Sequence, residues 1–374
     1  MAWKLTNQGL IQDTDTIGAS VQLAAGGSID NVAGARIVGG GYGVVITGGG
    51  GTVVNDGTIA GTGTSGRGVD LSSGGSVTNA ASASIAGVYR GIAISGAAGT
   101  VVNDGKIAGT GTSGAGALWQ GVYLSVGGSV TNAAAASIRG AYEGVSIFGA
   151  DAGTVVNDGT IAGTYGRGVD LYSGAGGSVT NAASASITGA LTGVSIVGAV
   201  GNVVNDGSIS GTGIDGLSIY ITDFPFTNSI GGFVTNSASA SITGAYEGVA
   251  IVANSGAAGT LINAGSIAGT GANGTGVSLA GGSVTNAASA SITGVYRGVY
   301  VSASAGTVVN DGSIAGTGTY GLAIYLHPGG SVINAGTIRG AYRGIAIVGA
   351  AGTVVNDVTN AASASIMGAL YQPP

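Results

Sequence analysis

Gly51-Thr52-Val53-Val54-Asn55-Asp56-Gly57-Thr58-Ile59-Ala60-Gly61-Thr62-Gly63, then Gly68-Val69-Asp70-Leu71 and Gly74-Gly75-Ser76-Val77-Thr78-Asn79, make up one turn of a repeat that fills the chain. Its fixed point is the asparagine that closes the Val-x-Asn triplet. That residue returns as Asn7, Asn31, Asn55, Asn79, Asn103, Asn132, Asn157, Asn181, Asn205, Asn236, Asn263, Asn286, Asn310, Asn334 and Asn356, at gaps of 22 to 31 residues, most of them 24. A period of this size running from end to end marks a solenoid, because one such repeat cannot bury its own apolar face and must stack on the next.

The repeats come in two alternating kinds. In one, Asn55-Asp56-Gly57-Thr58-Ile59, the next aliphatic follows the asparagine after 4 residues; in the other, Asn79-Ala80-Ala81-Ser82-Ala83-Ser84-Ile85, it follows after 6. The following corner shortens to compensate, from 10 residues between Ile59 and Val69 to 7 between Ile85 and Ile92, so the perimeter stays at 24. Within a coil, apolar residues alternate with polar ones, as Val69 and Leu71 do around Asp70. That period of two, bounded by Gly, Asn, Asp and Ser, spells short half-buried strands and leaves no helical stretch. The expectation is an all-β, single-stranded right-handed parallel β-helix over residues 1–374: about 15 coils of ~24 residues, three short strands per coil, roughly 70 Å long at ~4.8 Å per rung. Aligned at one corner, the asparagine amides donate to one neighbour and accept from the other while satisfying the backbone at the bend, a ladder with a structural role.

The expected outward column of the third strand runs Gln22, Val45, Asp70, Ala93, Tyr123, Ser146, Asp170, Ser195, Ser218, Ala250, Ser278, Tyr300, Ala323, Ala346.

Composition narrows the function. Charged residues are only 7%, yet hydrophobic residues reach 44% and are evenly phased, which is the pattern of a packed solenoid and not of disorder. Ten Lys and Arg, scattered without a basic stripe, argue against nucleic acid. The chain has no cysteine, so disulfide and thiolate-metal chemistry are excluded, and passage through an oxidising compartment leaves it unlocked. Gly, Ser or Asn breaks every apolar run short of the ~18 residues of a transmembrane helix. Met1-Ala2-Trp3-Lys4-Leu5-Thr6-Asn7 carries no apolar core of a signal peptide. The repeat turns irregular at 356–374, where about one coil is skipped at Asn356-Asp357-Val358-Thr359-Asn360, and no charged capping coil is read at either end.

The quoted motif, at 51–63, 68–71 and 74–79, resembles the passenger repeats of bacterial autotransporters, and the resemblance extends over residues 5 to 366. It implies a β-helical passenger at the cell surface, acting as an adhesin or aggregation factor, although the signal peptide and outer-membrane barrel of that family are not found in this chain. The function expected is therefore a non-enzymatic extracellular or bacterial cell-surface solenoid, without cofactor or metal. It makes multivalent contacts with surface glycans, other proteins or copies of itself. One alternative is a structural subunit that stacks end to end into filaments. Another is ice binding through Thr62/Thr64, Thr110/Thr112 and Thr317/Thr319.

Candidate sites are few. The single histidine, His327, sits at a corner beside Pro328 and reads as a turn residue. Asp70 and Asp170 lie four coils apart, roughly 19 Å, too far for glycosidic chemistry. Asp56, Asp104, Asp158, Asp206, Asp311 and Asp357 each follow a ladder asparagine as turn residues, and alternate-coil spacing near 10 Å is too wide for one calcium ion to bridge. An aromatic column is the better candidate: Tyr42, Tyr89, Tyr142, Tyr246, Tyr296 and Tyr342 are read at one corner of the 6-type coils, several followed by a charge such as Arg90, Glu143, Glu247, Arg297 or Arg343. These tyrosines either shield the corner or recognise sugars or proteins, as exposed aromatics and arginines do at interfaces. Insertions at Ala115–Gln120, near Asp151, at 223–227 and at 253–255 add Trp119, Phe224 and Phe226 as possible recognition residues.

Overall fold

A computed structural model describes residues 3–111, 119–223, 231–252, 258–356 and 365–368. Among the described residues every regular element is a strand. The chain divides into two compact units, Met1–Ala190 and Leu191–Pro374, and each is a three-sided β-solenoid.

In the first unit, one sheet holds eight strands from Trp3–Asn7 to Gly177–Asn181, the second eight from Leu10–Gln12 to Ser186–Gly189, and the third seven from Ala19–Leu23 to Arg167–Ser173. The second unit has seven strands on each side: Val200–Asn205 to Gly352–Asn356, Ser208–Gly211 to Ser365–Gly368, and Thr192–Val197 to Arg343–Ile347. Neighbouring strands in a sheet are three apart in sequence and parallel, so each coil contributes one strand to each side.

Register follows the repeat. Gly51, Gly75 and Gly99 are partners in the first sheet, as are Val53, Val77 and Val101, and Asn55, Asn79 and Asn103. The two corner lengths compensate as expected, because 4-type Thr58-Ile59 pairs residue for residue with 6-type Ser84-Ile85. A typical coil buries one aliphatic residue from the first sheet, most often Val, one Ile from the second and two aliphatic residues from the third, as with Val53, Ile59, Val69 and Leu71, all at 0% exposure.

The asparagine shares the inward phase of that valine, so the ladder lies inside the corner between the first two sheets. In the first unit Nδ2 of each asparagine donates to Oδ1 of the next from Asn7 to Asn181, every step at 2.7–2.8 Å. The second unit repeats this from Asn205 to Asn356. Backbone carbonyls take up the remaining donor capacity: Asn55 Nδ2 also reaches the carbonyls of Gly57 (3.1 Å) and Ser84 (3.2 Å). In 4-type corners the glycine of Asn-Asp-Gly is needed because a Cβ on Gly57 would come within 2.9 Å of the ladder amide of Asn31.

The 6-type corner carries a measurable strain. In five of these corners the third residue after the asparagine is left-handed: Gly34 at φ 79°, but Ala135 at 65°, Ser184 at 67°, Ser239 at 67° and Ser289 at 69°. A Cβ in that conformation costs about 1–2 kcal/mol, against about 0.5–1 kcal/mol of extra chain entropy for glycine. Because Ser184, Ser239 and Ser289 are exposed and give up no packing, each Ser→Gly replacement is expected to stabilise by about 0.5–1 kcal/mol, read from urea unfolding.

Candidate functional site

The third sheet is where the repeat departs from monotony. Its strands follow x-Gly-Val/Ile-x-aliphatic, with Arg, Glu or Gln at the first position in most coils and the second position kept small because a Cβ there would approach the coil ahead: at Gly91 it would lie 2.6 Å from the carbonyl oxygen of Gly121. The first and fourth positions face outward, giving two parallel columns.

Register corrects the outward column at two places. Tyr220, not Ser218, pairs with Ser195 and Ala250, and Tyr325, not Ala323, pairs with Tyr300 and Ala346. Ser218 and Ala323 occupy the position that glycine holds in other coils, and Ser218 Oγ turns inward to donate to the Ile209 carbonyl at 2.7 Å. Without the glycine as marker, the alternation is misread by two residues, and two outward tyrosines are missed.

Five of the six corner tyrosines are placed as expected. The amides of Tyr89, Tyr142, Tyr246, Tyr296 and Tyr342 donate to the preceding coil at Gly66, Trp119, Gly216, Gly274 and Gly321, at 2.8–3.0 Å. Trp119 therefore stands directly before Tyr142 in the same corner, half-buried. Tyr42 is one place off: Gly41 takes the corner, and Tyr42 shares register with Arg67, hence with Arg90. Tyr42 follows Asn31 by 11 residues where Tyr89 follows Asn79 by 10, so it stands in the arginine's place and Gly41 in the tyrosine's. The corner tyrosines recur on alternate rungs, about 10 Å apart, so they do not stack on one another. Leu191, which replaces a tyrosine, is exposed.

Arginines and fourth-position rings link the corner to the sheet. In the first unit the Arg67 guanidinium lies 5.7 and 5.5 Å from the ring centres of Tyr42 and Tyr89, and Arg90 lies 4.6 Å from Tyr89 and 3.8 Å from Tyr123. Tyr123, Phe148 and Tyr172 then run ring to ring at 5.9 and 5.5 Å. In the second unit Arg297 lies 4.3, 4.1 and 5.2 Å from Tyr296, Tyr300 and Tyr325, and the last two stack at 5.5 Å with 13° between planes. His327, expected to be a plain turn residue, sits edge-on to Tyr325 at 6.0 Å. Arg343 pairs with Tyr342, centre distance 4.7 Å and Nη2 to hydroxyl 3.1 Å.

Beneath the first unit's rings runs a polar chain that sequence reading did not find. Arg90 Nε donates to Gln120 Oε1 (2.6 Å), Gln120 Nε2 donates to Glu143 Oε2 (2.9 Å), and Arg167 Nη1 lies 3.6 Å from Glu143 and 3.3 Å from Asp170. The close carboxylate pair is thus Glu143 and Asp170, in adjacent coils and adjacent columns. Both are ion-paired and nearly inaccessible, at 2% and 3% exposure, so a substrate cannot reach them. Arg67 forms a second ion pair with Asp70. Burial holds the Arg90 guanidinium below its ordinary value, and Arg67 pushes the same way against the pull of Tyr89, Tyr123 and Asp70.

In the second unit, burial raises the Glu247 carboxyl above the usual carboxylate range, although a hydrogen bond from Ser278 and the charge of Arg297 act against the shift. A raised native value means that the folded state binds more protons than the unfolded state between the two values. This contribution is therefore most favourable below the unfolded value, near pH 4, and is lost as pH rises through the native one. Glu247→Gln is expected to stabilise the protein at pH 7 and to leave it unchanged below about pH 4, by thermal melts across pH.

Of the other positions singled out, Asp56, Asp104, Asp158 and Asp311 are exposed and Asp206 half-buried. No three His, Cys, Asp or Glu side chains among the described residues converge as a metal site. Thr112, Phe224, Phe226, Asp357 and most of the inserted loops lie outside the described residues. No protein family matches this chain, and neither a curated protein nor a solved structure shows significant similarity to it.

Proposed function

We propose that this protein is a non-enzymatic, extracellular adhesive solenoid of the autotransporter-passenger kind, whose third-sheet face makes multivalent contacts with surface glycans. The observation that carries this reading is the set of rings and arginines on that face in each unit, above all Arg297 with Tyr296, Tyr300 and the missed Tyr325. A tyrosine presents an apolar face to the C–H face of a pyranose and a hydroxyl to its rim, and arginine locks the ring in place at little further entropy cost. The rungs repeat these contacts along the sheet, so weak single contacts add through effective concentration.

The test is retention of the full chain on immobilised glycans. A polysaccharide is expected to bind at least about 100-fold more tightly than its own monosaccharide, and Tyr300→Ala with Tyr325→Ala to weaken retention at least tenfold. Failure to bind any glycan surface overturns the reading. A strong preference for a protein-coated surface overturns the choice of glycans.

A further inference from the structure

On the first unit's third sheet, the ring of Tyr42 and the Arg67–Asp70 pair frame an open cleft of about 480 Å³. That volume lies within the range of ligand clefts, about 300–1,000 Å³. Its floor is Val45, in register between Gln22 and Asp70 in the outward column. One wall is Tyr42 with Arg67, in register with each other. The opposite wall is a row of hydroxyls, Thr47, Ser72 and Ser95, and Ile17 closes one end.

We infer that this cleft is a binding site for a neutral pyranose, which deepens the glycan-adhesion reading and rests on it. The chemistry selects the ligand. Tyr42, held by the Arg67 guanidinium, offers a ring face to the apolar face of a sugar. Asp70 is 5% exposed and acts from beneath the surface: through Oδ2 it holds the more exposed Arg67, so the pair brings guanidinium donors to the cleft in a fixed orientation, beside the acceptors of the other lining residues. Gln22 adds an amide and Thr47, Ser72 and Ser95 add hydroxyls, each both donor and acceptor. Because the ion pair is internally neutral, the cleft does not select a charged ligand. A uronate places its carboxylate beside Asp70, and a cationic ligand meets Arg67. The residues that make this site arise from substitutions within the repeat: the fourth position is Gln22, Val45 and Asp70 on three successive rungs, and the first is Ala19, Tyr42 and Arg67.

The experiment is saturation-transfer difference NMR on the full chain with the methyl pyranosides of glucose, galactose, mannose and N-acetylglucosamine, and with glucuronate. At least one neutral glycoside is expected to bind at least tenfold more tightly than glucuronate. Tyr42→Ala and Asp70→Asn are each expected to weaken it at least tenfold. Ser72→Phe fills the cleft from an exposed position and replaces neither member of the ion pair, so it is expected to abolish binding with an unchanged melting temperature. Tyr165→Ala, an exposed tyrosine outside the cleft, is expected to leave binding unchanged. Binding that survives Ser72→Phe, or that favours glucuronate, overturns the cleft assignment. If binding survives Ser72→Phe but is lost with Tyr300→Ala and Tyr325→Ala, the cleft falls while the adhesive reading stands. If no glycoside binds while a polysaccharide is still retained, the cleft again falls alone. If neither binds, both fall.

Discussion

Replacing Asn132 by alanine is expected to destabilise the protein by about 3–5 kcal/mol, one of the two largest effects of any single substitution considered. Asn132 is fully buried; its Nδ2 donates to Asn157 Oδ1 (2.8 Å) and the carbonyl of Thr160 (3.2 Å), and its Oδ1 accepts from Asn103 Nδ2 (2.8 Å). Alanine deprives the Oδ1 of Asn157 and the carbonyl of Thr160 of the Asn132 donor, each costing about 1–3 kcal/mol when buried, and takes from the Asn103 amide its in-line acceptor, leaving it only the carbonyls of Gly105 and Ser137. Asn132→Asp keeps the shape but sets a carboxylate oxygen against the Oδ1 of Asn157, so it is not a rescue. Asn7→Ala, which has one ladder partner instead of two, is expected to cost about half as much. Urea unfolding followed by circular dichroism reads all three, and equal losses for Asn132→Ala and Asn7→Ala would contradict a ladder.

Arg167→Ala is the second. It removes the cation shared by Glu143 and Asp170, whose carboxylates stay buried beside each other. Breaking a buried pair from one side costs about 3–5 kcal/mol, and since the Arg167 side chain is 35% exposed the expected loss is reduced to about 2–3 kcal/mol. Adding Glu143→Gln and Asp170→Asn removes the stranded charges, and the triple variant is expected to recover most of the stability. No recovery would mean that Arg167 acts through packing of its alkyl stem instead of through charge.

The solenoid was legible because its cause is periodic. One Val-x-Asn triplet per ~24 residues sets the rung, and the compensating corner lengths keep Thr58-Ile59 over Ser84-Ile85. The candidate site was only partly legible, since it consists of departures from that period. Tyr89, Tyr142, Tyr246, Tyr296 and Tyr342 keep a fixed offset from the following glycine and were found. Tyr220 and Tyr325 were missed because Ser218 and Ala323 stand where glycine marks the strand, and Tyr42 was misplaced because it stands one residue before its glycine, Gly43, where the others stand two before theirs. Counting from the buried Ile of the second sheet would have recovered each. The chain Arg90–Gln120–Glu143–Arg167 joins residues 23 to 30 positions apart. It is visible only once the rungs are stacked.

All of these readings depend on consecutive coils stacking in register, and the absence of native cysteine allows a direct test by disulfide trapping. Thr52 and Ser76 are partners on adjacent rungs, and Thr100 is the next in line. A rung of about 4.8 Å falls within the range of Cα separations a disulfide spans, about 4.4–6.8 Å, whereas two rungs do not. The account predicts that Thr52→Cys with Ser76→Cys cross-links within the chain on mild oxidation and that Thr52→Cys with Thr100→Cys does not. Equal cross-linking of both pairs, or cross-linking of the second alone, would contradict it.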